Sequence, residues 1–316
     1  MKNEIKFAEI WMNKFLEFLK EFPEDIREKW MKSLNPLILT NTIDGIHYGV
    51  LFNCGRKDRL EIKNNKSLNI PDFYESIKRY NAGKNNTVLF GTDYLPYYAL
   101  VNIFPLMPSH TTLAYETPNP YTGIDKRVGQ QDLETMIKFS EDTGSVVWHN
   151  MSGVGSTIPT WEHWQASSFI PPIRYAKKVA CNSKDHIYHM PDYPGTNIIF
   201  NGETKTENAL KMKEILELNK IPHSIVVDGG YIYIIPVKDD MAGSKFGLDE
   251  KSRIGSFELT GYYVALNIED FYRFASDELM NLPGLESLPK DQKVIVKTVL
   301  EKGLFSEKEL DLLNFL

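Results

Sequence analysis

Apolar residues recur at helical spacing through residues 4–34. Phe7, Trp11 and Phe15 are four positions apart, which places them on one face of an amphipathic helix. Pro23 interrupts the pattern, and a second, shorter helix follows it. We expect this helical arm to pack on the main body, because core burial explains its aromatic face better than a ligand role does.

After this arm the pattern changes to short apolar runs separated by polar turns, which is typical of β-strands. The Asp44-Gly45 pair is a hairpin signal between two of these runs. Arg56 lies with Lys57 and Arg59 in a later turn. These cations are either donors to a substrate phosphate or an ordinary solvated turn, and the sequence leaves both alternatives open.

Residues 87–170 predict an alternation of short strands with one helix. A Pro-x-x-Pro-Ser-His segment that ends at His110 connects the second of these strands to the third. The strands are expected at residues 87–90, 99–104, 111–115 and 146–149, and the helix at residues 130–141.

A second unit of similar spacing follows at residues 196–236. A strand, a helix and a hairpin closed by Asp228-Gly229-Gly230 succeed one another there. From residue 283 charged residues alternate with apolar ones at helical spacing, which predicts a helical cap. A DNA-reading helix-turn-helix is the alternative for this tail, but its acidic character disfavours that interpretation.

The segment that begins at Asn150 is rich in small residues. Gly153, Gly155, Ser156 and Thr157 form a flexible turn. Successive backbone N–H groups in such a turn can surround a phosphate. The turn therefore predicts an anion-binding site.

The strand after this turn brings three functional side chains to one face. Trp161, His163 and Gln165 are two positions apart, and alternate residues of a strand point the same way. An aromatic ring, an imidazole and an amide therefore converge beside the predicted anion site. The alternative is an ordinary half-buried histidine bonded to the backbone, but the neighbouring turn favours chemistry at His163.

Composition limits the class of partner. The 316 residues carry a formal net charge of −6, which disfavours nucleic acid and anionic membranes because surfaces that bind them are normally basic. No apolar run reaches the ~20 residues of a membrane span, and the charged N-terminal segment does not read as a signal peptide. Two cysteines without metal or disulfide spacing indicate thiols of a cytoplasmic protein, and we expect no bound metal and no cofactor.

The motif Trp161-Glu-His163-Trp-Gln165 resembles His-φ-His-φ-Gln, the signature of the histidine-triad superfamily. The resemblance implies that His163, at the place of the middle histidine, attacks the α-phosphorus of a nucleotide. It also implies that Gln165 stabilises charge on the phosphate oxygens. Trp161 replaces the first histidine, which binds structural zinc in galactose-1-phosphate uridylyltransferases, and would instead line the pocket or stack on a base.

Further positions match the same superfamily. Asn150 opens the glycine turn before the catalytic strand, and Asn102 takes the place of the Asp or Asn that faces the nucleotide ribose. His110 matches a position that is mostly structural in the superfamily, so the resemblance gives it no chemical role. Residues 166–177, after Gln165, resemble the continuation found in GDP-hexose phosphorylases.

The resemblance implies an α+β fold. It consists of two histidine-triad-like halves, each an antiparallel sheet with a helix, and the second half is degenerate. Helical extensions precede and follow these halves. The expected domains are an N-terminal arm at residues 1–34, a catalytic half at 35–190, a degenerate half at 191–275 and a helical cap at 276–316.

The implied function is that of the branch that contains galactose-1-phosphate uridylyltransferases, GDP-hexose phosphorylases and dinucleoside tetraphosphate phosphorylases. Such an enzyme transfers a nucleoside monophosphate from a nucleotide-sugar or a dinucleoside polyphosphate to phosphate or a sugar phosphate, through a covalent nucleotidyl-His163. The alternatives are a histidine-triad hydrolase and a nucleotide-binding protein without turnover. The sequence leaves open the base, the sugar, the acceptor and the oligomeric state, a homodimer included.

Overall fold

Polar turns separate short apolar strands along most of the chain, and three- and four-residue apolar spacing marks the helices. The computed structural model describes residues 2–43, 45–53, 72–91, 93–102, 105–115, 128–150, 154, 163–182, 184, 186–242, 245, 254–265, 267–273 and 296–306. In these residues the helices are α1 Lys2–Leu19, α2 Glu24–Lys32, α3 Phe73–Asn81, α4 Gln130–Thr143, α5 Lys205–Leu218, α6 Ser256–Leu259, α7 Ile268–Arg273 and α8 Val296–Gly303. The strands are β1 Leu37–Ile43, β2 Ile46–Phe52, β3 Val88–Phe90, β4 Tyr97–Val101, β5 Thr111–Tyr115, β6 Val146–Asn150, β7 His163–Ser167, β8 Val179–Asn182, β9 Ile187–His189, β10 Ile198–Phe200, β11 His223–Asp228, β12 Tyr231–Pro236 and β13 Tyr262–Ala265.

The large sheet of the described residues is antiparallel and has the order β3-β4-β5-β7-β6-β11-β12-β10-β9-β8. This order is symmetric about the β6–β11 pair. Counted outward, β6, β7, β5, β4 and β3 correspond to β11, β12, β10, β9 and β8, and each half inserts one helix, α4 or α5, before its central strand. The predicted α+β fold of two sheet-plus-helix halves is thus confirmed. The domain boundaries stay predictions.

Helices α4 and α5 cover one face of this sheet, which we call the helix face. Leu113, Val147 and Ile225 of the sheet are buried there against Met136 of α4 and Met212 of α5. Each such side chain contributes about 1.5–3 kcal/mol when it is removed from water. Of the described helices, none is both long and apolar enough to span a membrane.

The N-terminal helices pack together through an aromatic cluster. Trp11, Phe18 and Trp30 are fully buried in it, and the rings of Phe18 and Trp30 lie 5.9 Å apart. Phe7 extends the contact to the body, because its ring meets Phe139 of α4 edge-on at 5.9 Å. The helical extension that the sequence predicted is therefore present, and its aromatic face is buried.

The opposite face, which we call the site face, has two covers. A three-stranded sheet of β1, β2 and β13 packs over its middle, where Val50 of β2 is buried with Trp148 of β6 and Tyr233 of β12. Helix α3 packs over the other end, where Ile77 is buried with Ala114 of β5. Strand β7 lies between β5 and β6, so its residues on this face lie between the two covers.

Candidate active site

Strand β7 supplies the two residues that the sequence predicts for catalysis. Trp164 and Ala166 are fully buried on the helix face, and Trp164 Nε1 donates a hydrogen bond to Tyr97 Oη at 3.2 Å. Because side chains alternate along a strand, His163 and Gln165 point to the site face, and both are half-buried there. Their positions along the strand are about 7 Å apart, so both side chains can reach one phosphate group.

The neighbouring strands determine what surrounds these two residues. His163 lies opposite Ala114 of β5, and Gln165 lies opposite Thr112 of β5 on one side and Trp148 of β6 on the other. Ala114 is small and buried, so its side chain takes up little space beside the imidazole. Gln165 lies between Thr112 and Trp148, which are both buried.

His110 contacts Gln165 directly. His110 Nε2 lies 2.9 Å from Gln165 Oε1, and the backbone N–H of Leu106 donates to His110 Nδ1 at 2.9 Å. The His110 side chain is buried, and its ring stacks on Trp148 with 5.7 Å between centroids. Sequence reasoning gave His110 no role in the site, so the contact is a finding of the structure.

Asn102 extends this polar group. Its Nδ2 donates to Thr112 Oγ1 at 3.3 Å and lies 3.4 Å from His110 Nε2. A half-turn of the amide would present its oxygen to the same two atoms, and a hydrogen on His110 Nε2 would favour that orientation. Asn102, predicted to face the ribose, is therefore linked to Gln165 through His110.

Asn150 ends strand β6 on the same face. Its Oδ1 accepts a hydrogen bond from the backbone N–H of Ser256, the first residue of α6, at 2.6 Å. Ser256 Oγ donates to the His149 carbonyl at 2.8 Å. One side of the Asn150 amide thus anchors α6, and its role in nucleotide binding stays a prediction.

The remaining predicted site residues belong to the glycine turn, to the turn that carries Arg56 and to the start of the catalytic strand. They were expected to bind phosphate through backbone N–H groups, to stack on a base or to supply a cation. Gly153, Gly155, Ser156, Thr157, Trp161 and Arg56 all lie outside the described residues.

The sequence also predicted that the protein binds no metal ion. Among the residues that the structure describes, no group of three or more His, Cys, Asp or Glu side chains has an arrangement that could hold a metal ion. The expectation of no metal and no cofactor stays a prediction.

The second half of the large sheet carries different residues on the strand that corresponds to β7. Trp148 and Gln165 are opposite each other on β6 and β7, and Val226 and Tyr233 are opposite each other on β11 and β12. Tyr231, Tyr233 and Ile235 lie on the site face of β12. Strand β12 therefore carries neither an imidazole nor an amide on this face.

The fold is similar to that of solved structures. The crystal structure of yeast Ap4A phosphorylase Apa2 in complex with AMP aligns with a TM-score of 0.61 and 16% identity over 95% of this chain and 96% of that chain. The structure with Ap4A aligns with a TM-score of 0.62 and 13% identity over 95% of this chain and 98% of that chain. A third Apa2 structure aligns with a TM-score of 0.57 and 15% identity over 90% of this chain and 98% of that chain.

Sequence comparison adds no closer relative. No family model matches the chain, and no curated protein matches it. At these identities the structural likeness shows the fold. It confirms, for the architecture alone, the resemblance that the sequence indicated.

Proposed function

We propose that the protein is a nucleotidyl-transferring phosphorylase with His163 as its nucleophile. A ring nitrogen of His163 attacks the α-phosphorus of a dinucleoside polyphosphate, a P–N bond forms, and the P–O bond to the rest of the polyphosphate breaks. Inorganic phosphate then attacks the nucleotidyl-histidine, the P–N bond breaks, and a nucleoside diphosphate leaves. A dinucleoside tetraphosphate would yield one nucleoside triphosphate and one nucleoside diphosphate.

The pairing of an imidazole with an oriented amide carries this proposal. His163 and Gln165 lie on one face of β7, and the carbonyl oxygen of the Gln165 amide is engaged by His110. The NH₂ group of Gln165 has no hydrogen-bond partner among the described residues. It is therefore available to a non-bridging phosphate oxygen, whose charge grows in the transition state.

The likeness to Apa2 favours a dinucleoside polyphosphate as the donor. The similarity extends over 95% of this chain and so includes both halves. A nucleotide-sugar is the second candidate donor, because residues 166–177 resemble GDP-hexose phosphorylases. We place the reaction in the cytoplasm, with small-molecule nucleotides rather than nucleic acid or membranes as partners.

The donor and acceptor are tested together. The protein is incubated with Ap4A, with and without inorganic phosphate, and the nucleotides are separated by chromatography. We expect ATP and ADP in equal amounts and only when phosphate is present. If Ap4A is converted to ATP and AMP equally fast without phosphate, the protein is a hydrolase instead. If a GDP-hexose reacts with phosphate and Ap4A does not, the nucleotide-sugar reaction is favoured.

The covalent step is tested by labelling. Radiolabelled Ap4A is mixed with the protein in the absence of phosphate, and the denatured chain is examined for a base-stable, acid-labile label, the behaviour of a P–N bond. His163→Ala and His163→Gly should carry no label, whereas His189→Ala, which alters a half-buried histidine of β9, should retain it. A wild-type protein that binds Ap4A and neither retains label nor forms products would be a binding protein without turnover.

A further inference from the structure

We infer that His110 is a positioning residue of this site, which orients the side-chain amide of Gln165 toward the substrate phosphate. The inference rests on the proposed function, in which Gln165 donates to a phosphate oxygen. Three features of the structure support it: the tautomer of His110, the orientation that this tautomer gives Gln165, and the rigidity of the imidazole.

The tautomer follows from the contact with Leu106. A backbone N–H can only donate, so His110 Nδ1, 2.9 Å from the Leu106 nitrogen, must be the unprotonated acceptor. In a neutral imidazole the hydrogen then lies on Nε2. The Nε2–H therefore donates to Gln165 Oε1, 2.9 Å away.

This hydrogen bond determines which end of the amide faces the substrate. The Gln165 amide has one carbonyl and one NH₂ group, and its carbonyl oxygen is held by His110. The NH₂ group is directed away from the imidazole and has no partner among the described residues. Without this contact the Gln165 amide could rotate by a half-turn and present its carbonyl oxygen to the phosphate. The phosphate oxygens would repel that carbonyl oxygen.

Burial and backbone contacts keep the imidazole in place. His110 is 1% exposed, and its ring is stacked on Trp148. The His110 carbonyl accepts hydrogen bonds from the indole N–H of Trp11 at 2.9 Å and from the backbone N–H of Asn102 at 2.9 Å. A group held in this way orients its neighbour before the substrate binds, which is the condition for effective electrostatic stabilisation.

The variants separate the two hydrogen bonds of the imidazole. His110→Asn keeps an acceptor for Leu106 N–H but loses the donor to Gln165. His110→Gln can place an amide N–H near the former Nε2 and so restores that donor. We expect kcat to fall at least tenfold in His110→Asn, with little change in KM for Ap4A, and to recover partly in His110→Gln.

A double-mutant cycle shows whether His110 acts through Gln165. If it does, His110→Asn combined with Gln165→Ala should be no slower than Gln165→Ala alone. Multiplicative losses in kcat would overturn the inference and assign His110 a general structural role. His149→Asn is the matched control: this buried histidine contacts Trp164 on the helix face, with 4.8 Å between ring centroids, so its effect should not depend on Gln165.

A readout without turnover separates this inference from the proposed function. Nitrogen NMR of labelled histidine in the full chain should show His110 with the hydrogen on Nε2, and Gln165→Ala should shift the His110 Nε2 resonance, whereas His189→Ala should not. If the wild type has no transfer activity but both results hold, the phosphorylase proposal fails and the positioning contact survives. A hydrogen on Nδ1, or a His110 Nε2 resonance that is the same in the wild type and in Gln165→Ala, would overturn the positioning role even in an active enzyme.

Discussion

At the scale of single residues, substitution of Gln165 distinguishes a role in stabilising the substrate phosphate from a role in packing. We expect Gln165→Ala to lower kcat by about 10²-fold, because an amide donor that acts mainly in the transition state is lost. The melting temperature should change little, since Gln165 is half-buried and water can replace its oxygen as the acceptor for His110. Steady-state kinetics and thermal unfolding check both. A destabilised but fully active variant would count against the phosphate-site assignment.

A second residue-scale prediction concerns Arg174, whose guanidinium makes two hydrogen bonds to the Asp228 carboxylate, one of them 2.9 Å from Nε to Oδ2. The Asp228 side chain is 3% exposed and that of Arg174 is 37% exposed. Arg174→Met would remove both hydrogen bonds from the buried carboxylate, while the charge of Lys178 remains near it, so we expect a loss of about 1–3 kcal/mol in the free energy of unfolding. Urea unfolding measures this. Asp228→Asn in the same chain should recover part of the loss, and an unchanged stability in Arg174→Met would contradict the prediction.

The sequence could place His163 and Gln165 on one face because that relation needs only the two-residue period of a strand. The role of His110 could not be read in the same way. Its contact with Gln165 spans 55 positions and depends on the pairing of β5 with β7, and its tautomer depends on a backbone N–H in a turn. The one signal available was the two-residue period of a strand. His110 lies two positions before Thr112, and Thr112 lies opposite Gln165, so this period places His110 on the same face as Gln165.

At the scale of elements, the turn between α6 and β13 offers a packing test. Gly261 has φ +101°, and a Cβ there would lie 2.5 Å from the Cβ of Pro172, in the 3₁₀ helix Pro172–Tyr175 after β7. Gly83, with φ +67° and nothing within 4 Å, is the matched control for backbone strain alone. We expect Gly83→Ala to cost about 1–2 kcal/mol and Gly261→Ala to cost a further ~1–3 kcal/mol from the clash. Equal shifts in urea midpoint would show that the contact with Pro172 relaxes freely.

Helices with clear spacing were predictable, and short connecting elements were not. The sequence predicted a helix at residues 130–141, and α4 covers Gln130–Thr143. Helix α6 escaped prediction as a helix because four residues are too few to show a period. Its formation depends on two hydrogen bonds at its N-terminus. Glu258 Oε2 accepts from the Gly255 N–H at 2.9 Å, and Asn150 Oδ1, at the end of strand β6, accepts from the Ser256 N–H.

At the scale of the whole molecule, the central elements of the two halves were predictable and their assembly was not. Local patterns predicted the strand, helix and hairpin of the second half, but not its short strands β8 and β9. The β6–β11 pair that joins them, and the parallel pairing of β13 with β2 from the other end of the chain, are long-range contacts that periodicity does not encode. The structure therefore adds the symmetry of the sheet, and with it the comparison between the two halves.

That symmetry leads to a test of Tyr233, which lies on the site face of β12, the strand that corresponds to β7. Tyr233 is fully buried, and its hydroxyl has no hydrogen-bond partner among the described residues. If only the first half is catalytic, Tyr233→Phe should leave kcat for Ap4A unchanged, in contrast to Gln165→Ala. Removal of an unpaired buried hydroxyl should also leave stability at pH 8 equal or slightly higher. A tenfold loss of kcat would show that the second half takes part in the reaction.

The same variant has an expected pH dependence. Burial, and then the charge of Asp228, raise the pKa of Tyr233, and burial also raises that of Tyr193. An unfolded tyrosine ionises near pH ~10, so the unfolded chain loses protons that the folded chain keeps. The stabilising effect of these neutral tyrosines is therefore complete below pH ~10 and is lost as the pH rises further. Urea unfolding between about pH 8 and pH 11 should show a smaller decline for Tyr233→Phe than for the wild type, because one of the tyrosines with a raised pKa no longer titrates. Identical slopes would mean that Tyr233 is not held in its neutral form by the fold.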